Sequence, residues 1–223
     1  MKKKTAILIF AQSASLECKN KYFPKGLELF SELNNQALKI VEKTGLPYFI
    51  FSENNQKGDT FGERYTNAIE AIFNKGFLNV ITIGNDCPEL NTSQLLQAAQ
   101  NLNESKTTLG PTLDGGFYLL AFHKNIFDKK AFLKLPWQKK SLRKELIKVL
   151  ESKKAVISGF CYYNDLDNQN DIRYYLAFKN KVSGKILNLI QTFTSSIPND
   201  KIWFFIEKNF ISILHNKGSP IVS

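Results

Sequence analysis

Apolar positions along the chain fall into two spacings. Short runs rich in Val, Ile, Phe, Tyr and Thr recur at TAILIFA (5–11), PYFIFS (47–52), NVITIG (79–84), TTLGPT (107–112), FYLLAF (117–122) and KAVISGFCYY (154–163). Bounded by polar turns, such runs read as strands. Between them the apolar residues move to helical spacing. Leu27, Phe30, Leu33, Ala37, Leu38 and Val41 form one face of GLELFSELNNQALKIVEKTG, which stops at Gly45. Phe61, Tyr65, Ala68, Ile69 and Ile72 do the same in DTFGERYTNAIEAIFNKG, which ends at Gly76. Leu95, Leu96, Ala99 and Leu102 do so in NTSQLLQAAQNLNE, where Asn91 or Thr92 supplies the cap. Strands that alternate with helices predict an α/β fold, with a mostly parallel sheet covered on both faces.

After NDLDNQNDIRYY the alternation ceases. KILNLIQTF and DKIWFFIEKNFISILHN, separated by TSSIPN, read as two amphipathic helices. The expected organisation is therefore an α/β domain over residues 1–175 and a helical extension over 176–223. Trp203, Phe204, Phe205, Phe210 and Ile211 give that extension a large apolar surface, which suits packing on the domain or pairing as a homodimer.

Composition removes several classes of function. The opening MKKKTAILIF imitates a secretory signal, but its apolar run is short and reads better as a first strand. No segment approaches the roughly 18 apolar residues of a membrane span, so membrane insertion is not expected. Cys18, Cys87 and Cys161 show no CxxC spacing, which argues against a zinc site or a disulfide framework and fits the cytosol. The formal net charge is +10, yet Arg occurs only at Arg64, Arg143 and Arg173. Lysine spread along the chain attracts phosphate without reading bases, so no specific nucleic-acid partner is expected.

Three polar clusters stand at the ends of apolar strands: GNDCPEL, GPTLDGGFYLL and YYNDLDNQNDI. Open α/β sheets place ligands at the carboxyl edge of their strands. Asp86, Asp114, Asp165, Asp167 and Asp171 are hard-oxygen donors of the kind that hold Mg²⁺ or Mn²⁺, and equally the residues that begin turns and cap helices. Gly115 and Gly116 allow a close backbone approach to a ligand, or a tight turn. No GxGxxG, P-loop or GxSxG pattern occurs, and His123 and His215 are too far apart in sequence to suggest a triad or a zinc site.

Taken in order, GDTFGER (58–64), VITIGNDCPEL (80–90), LGPTLDGGFYLLAF (109–122), LPWQKKSL (135–142) and DLDNQNDI (165–172) resemble the DUF2064 family. That family is assigned to the glycosyltransferase-A, nucleotide-diphospho-sugar transferase superfamily. The resemblance implies a Rossmann-like three-layer α/β/α sandwich that binds a nucleotide-linked substrate with a divalent cation, Mg²⁺ or Mn²⁺. It assigns Asp86, Asp165 and Asp167 to the metal, and Asp114 to catalysis in a loop with Gly115 and Gly116. Arg64 and Asn85 go to the nucleotide or substrate. Many family members carry a PxxGxxKTRL loop after the first strand; here the stretch is AQSASLECKNKYFPKG, where Lys19, Lys21 and Lys25 supply the charge. The implied activity is transfer from a nucleotide-activated donor, most simply a nucleotide sugar. The alternatives are transfer of NMP to a phosphorylated or carboxylated acceptor, and a non-catalytic binding protein of the same fold.

Overall fold

The computed structural model describes residues 5–21, 23, 25–177 and 182–194, without the side chains of residues 169, 170, 193 and 194. Six strands form one mixed sheet: β1 (Thr5–Phe10), β2 (Tyr48–Phe51), β3 (Asn79–Ile83), β4 (Lys106–Pro111), β5 (Phe117–His123) and β6 (Val156–Gly159), in the order β2-β1-β3-β5-β4-β6. All neighbours are parallel except those of β5, which runs against both β3 and β4. The reversal follows from the short turn at residues 112–116, since a parallel pairing would need a crossover of a dozen residues or more.

The strands divide two cores by simple alternation. Ala6 and Leu8 of β1, with Val80, Leu120 and Phe122, face α3 (Phe61–Asn74), α5 (Lys129–Leu133) and α6 (Leu142–Ser152). Ile7 and Ile9, with Ile81, Ile83, Leu119 and Ala121, face the other way, against Val41 of α2 (Gly26–Glu42) and Leu95, Ala98 and Leu102 of α4 (Thr92–Asn103). Helices on both sides of a mostly parallel sheet are the expected three-layer sandwich.

The caps explain where the helices begin. Thr60 and Glu63 form a reciprocal capping box at α3, and Asn91 with Gln94 forms another at α4, so Asn91 and not Thr92 is the cap. Gly45 and Gly76 have positive φ just beyond α2 and α3 and end both helices as read. Four helices were not anticipated: α1 (Ala14–Asn20), α5, α6 and α7 (Gln169–Ala177). The last apolar run is strand only over β6, and Tyr163 rejoins the sheet through a single bridge to Thr112.

A third core lies on the outer side of α2. Leu29, Phe30 and Leu33 meet Leu166, Ile172 and Tyr175, and also Ile186 and Ile190 of α8 (Gly184–Thr194). Helix α8, within the residues read as an extension, docks on α2, with Lys185 paired to Glu32 at its edge. The second helix expected there, at residues 200–216, lies outside the described residues. Among the described residues, no helix is long and apolar enough to cross a membrane.

Candidate functional site

Strand β3 is buried along its whole length and ends at Ile83. The chain then turns through Gly84, where a Cβ would stand 2.9 Å from Asp86 Oδ1; the glycine lets that carboxylate fold back over the strand end. Asn85 is buried and fixes the turn by donating Nδ2–H to Asn34 Oδ1 at 2.8 Å. The amide of Leu166 donates to the Asp86 carbonyl at 2.8 Å, and this bond carries Asp165 and Asp167 to the tip of β3.

From the other side comes α1. Ser13 caps it, accepting from the Leu16 amide at 3.3 Å, while its own amide donates to Glu53 Oε2 at 2.9 Å. The helix delivers Lys21 into the middle of the acids. Lys21 Nζ is 2.6 Å from Asp167 Oδ1, 3.3 Å from Glu17 Oε2 and 3.7 Å from Asp86 Oδ2.

Glu17, Lys21, Asp86, Asp165 and Asp167 line one end of a cavity of about 530 Å³ at the carboxyl edge of β1 and β3. The size suits a nucleotide or another small ligand. Burial pushes the Asp165 carboxyl up to about 9, with the negative charge of Asp86, Asp167 and Asp114 adding to the effect. Asp86 is raised in the same way, by burial first and then Asp167, against the opposing pull of Lys21. Burial also raises Glu17, beyond what Lys21 restores. For Lys21, burial works against the charge, but Asp86, Asp167 and Glu17 together hold its pKa well above the ordinary lysine value.

Arg64, Asn85 and Gly116 also line this cavity, but Asp114, Gly115 and Lys19 do not. Arg64 donates Nη1–H to the Asp59 carbonyl at 2.9 Å, which holds its guanidinium near the mouth of α3. The Asp114 carboxylate is engaged in its own loop, accepting from the Thr112 hydroxyl and from the Gly116 amide at 2.9 Å. Gly115 adopts φ +103° and passes so close to the Lys140 carbonyl that a Cβ would stand 2.2 Å from its oxygen. Lys19 and Lys25 are exposed, and Lys25 precedes α2 in a left-handed conformation. Asp171 is a staple for the 164–168 turn, accepting from Asn164 Nδ2 and from the amides of Asp167 and Asn168.

Asp165 Oδ1 is buried and accepts no hydrogen bond, an arrangement that a bound cation would satisfy. Asp86, Asp165 and Asp167 are all hard-oxygen donors of the type that Mg²⁺ and Mn²⁺ take. As placed, no three His, Cys, Asp or Glu side chains among the described residues are grouped to hold a metal ion, and the ammonium of Lys21 lies within 3.7 Å of both Asp86 and Asp167.

Sequence reasoning passed over Glu17 and the ring-bearing wall of the cavity: Phe10, Phe61, Tyr65, Phe117 and Trp137. Glu17 stands four residues before Lys21, the spacing at which a helix brings an acid and a base together. Trp137 lay within the LPWQ motif, where its presence beside Pro136 was the available signal.

Comparison with known proteins agrees with the fold. Residues 47–139 match the family model described as "Uncharacterized protein conserved in bacteria (DUF2064)". No curated protein matches the sequence. Among solved structures, a candidate nucleotide-diphospho-sugar transferase from Desulfovibrio desulfuricans superposes with a TM-score of 0.73 at 19% identity, over 86% of this chain and 98% of that one. The manganese complex of Rv0371c from Mycobacterium tuberculosis gives 0.44 at 12% identity, over 78% and 98%. A cytidylyltransferase from Leptospira borgpetersenii gives 0.40 at 15% identity, over 98% and 99%. The last two superpose too loosely to support an argument. The first, with the family model, bears out the resemblance read from the motifs and the glycosyltransferase-A type of fold.

Proposed function

We propose that the chain is a metal-dependent transferase that uses a nucleotide-activated donor, most simply a nucleotide sugar. One observation carries this reading: the carboxylates of Asp86 and Asp167 meet Lys21 at the carboxyl edge of β3, with Asp165 beside them, at one end of a cavity of about 530 Å³. Four acidic side chains around one lysine offer a bare diphosphate no net positive charge, so phosphate settles there only with added positive charge. A divalent cation held by Asp86, Asp165 and Asp167 would supply that charge and stabilise the departing diphosphate. Lys21, freed from the acids, is placed to pair with phosphate oxygens, and Arg64 faces the same cavity. The Asp114 loop shapes the wall beside Gly116 and orders the backbone there. Asp114 enters this reading as a residue that positions the loop.

The test is a thermal-shift series with nucleotides and nucleotide sugars, with and without Mn²⁺. A ligand held only by the folded state at a hundred times its Kd adds about 2.7 kcal/mol of stability. The wild type should show a shift that needs both nucleotide and Mn²⁺, and Asp86→Asn should abolish it while keeping or slightly raising the melting temperature of the free protein. An undiminished ligand shift in Asp86→Asn would remove the cation site, and with it the metal-dependent reading.

A further inference from the structure

The acid–lysine cluster accounts for only one end of the cavity. Beside polar residues such as Gln12, Gln56 and Gln138, the rest of its lining carries aromatic rings from four separate segments: the end of β1, the first turns of α3, the start of β5 and the chain between α5 and α6. The rings brace one another. Phe61 and Trp137 have centroids 5.5 Å apart, Tyr65 and Trp137 5.1 Å, and Phe10 meets Phe61 edge to face at 5.5 Å.

Two features fix this wall in place and leave it chemically plain. Trp137 donates Nε1–H to the Phe132 carbonyl at 2.8 Å, and its ring is seated on Gly62, where an added Cβ would stand 2.2 Å from Cδ1. Tyr65 is buried and its hydroxyl lies 2.6 Å from that of Thr82, inside the protein. The polar tips of both residues are thus satisfied away from the cavity, and what the wall offers is ring surface. Phe10, Phe61, Phe117 and Trp137 are only partly buried, so some of that surface remains available to a ligand.

We propose that Trp137 and Phe61 form a stacking platform for a planar ring of the substrate, whose phosphate end lies toward Lys21 and Asp86. The inference rests on the nucleotide reading and adds to it the chemistry of the second half of the ligand. The rings give a saccharide's hydroxyls no hydrogen-bond partners, so a sugar would have to turn toward polar lining residues such as Gln56 and Gln138 instead. A planar ring loses little on desolvation and gains stacking, which every nucleobase offers through its π-face. The ring has two possible sources, the nucleobase of the donor or an aryl group on a phosphorylated acceptor.

The experiment uses the full chain with Trp203→Phe, which leaves Trp137 as its single tryptophan. Trp137 emission and melting temperature are followed in Mg²⁺ during titration with CTP, UTP, GTP, ATP, phenyl phosphate and the ring-free probe pyrophosphate. At least one ring-bearing probe should quench Trp137, and its affinity should fall about tenfold in Trp137→Leu while Trp137→Phe keeps most of it. Pyrophosphate should stabilise all variants alike without quenching. Quenching by a nucleotide assigns the ring to the donor's base; quenching by phenyl phosphate alone assigns it to an acceptor. The quench is read in protein that retains Trp137, so the inference can fail even if Trp137→Leu does not fold. If no probe quenches, or ring-bearing probes bind the Leu and Phe variants equally, the platform is wrong. Nucleotide stabilisation that persists in that case leaves the transferase reading standing, whereas no stabilisation of any variant by any probe ends both.

Discussion

Lys21 is the charge around which the acids are arranged, and this has a measurable cost for any cation that would take its place. A divalent ion must displace an ammonium that already holds Asp167 at 2.6 Å. Lys21→Met should therefore bind Mn²⁺ about tenfold more tightly, a gain of about 1.4 kcal/mol, as read by calorimetry or by the Mn²⁺ resonance signal. Weaker Mn²⁺ binding in that variant would show that the lysine assists the cation. Asp165 gives the same cluster a pH signature. Its folded pKa of about 9 lies above the ordinary carboxyl value, so between about pH 4 and pH 9 the folded state holds the extra proton. Stability from this group is full at the acid end of that window and declines as pH rises through it; Asp86 and Glu17 are shifted in the same direction. Glu53, Glu63, Glu104 and Asp128 are lowered and act oppositely, but only as pH falls into the ordinary carboxyl range. The metal-free protein should thus lose melting temperature from pH 6 to pH 9, and Asp165→Asn should flatten that slope. An equal slope in the variant would mean that Asp165 is already ionised in the folded state.

Among the elements, α3 bears the closest tolerance. Gly62 lies in its first turn, and in an open helix position alanine would be the better residue by about 1 kcal/mol. Here the Trp137 ring occupies the place of the Cβ, and its Nε1 bond keeps it from retreating. Overpacking of this kind costs about 1–3 kcal/mol, so Gly62→Ala should lower the melting temperature despite the propensity gain. A rise would show that the ring yields freely. The strands and α2 to α4 were legible in the sequence because each carries several apolar positions at one regular spacing and an identifiable cap or stop. Helix α1 was not, since ASLECKN offers Leu16 as its single large aliphatic residue and takes its direction from the Ser13 cap and Glu53. In α6 the signal was present in Leu142, Leu146 and Leu150, yet short and flanked by lysines. Asp86, Asp165 and Asp167 could be singled out by their positions at strand ends. The placing of Lys21 among them could not, because it depends on the docking of segments far apart in the chain.

At the scale of the molecule, the α2–α7–α8 core adds to the fold and stands apart from the sheet. Ile186 and Ile190 of α8 are fully buried, and each such side chain contributes about 1.5–3 kcal/mol. A chain ending after residue 194 should melt several degrees above one ending after residue 177, in which the outer face of α2 is laid bare. Equal melting temperatures for the two would show that α8 contributes nothing. Leu166 joins this core to the site: its side chain is buried with Tyr175 and Ile186, while its amide holds the Asp86 carbonyl at 2.8 Å. The same residue therefore belongs to two cooperative units. If α7 and α8 open together, the 165–167 turn is released and two of the proposed cation ligands leave with it. Local opening and ligand release would then be one equilibrium, so nucleotide with Mn²⁺ should slow amide hydrogen exchange in α8, a helix whose described side chains do not line the cavity.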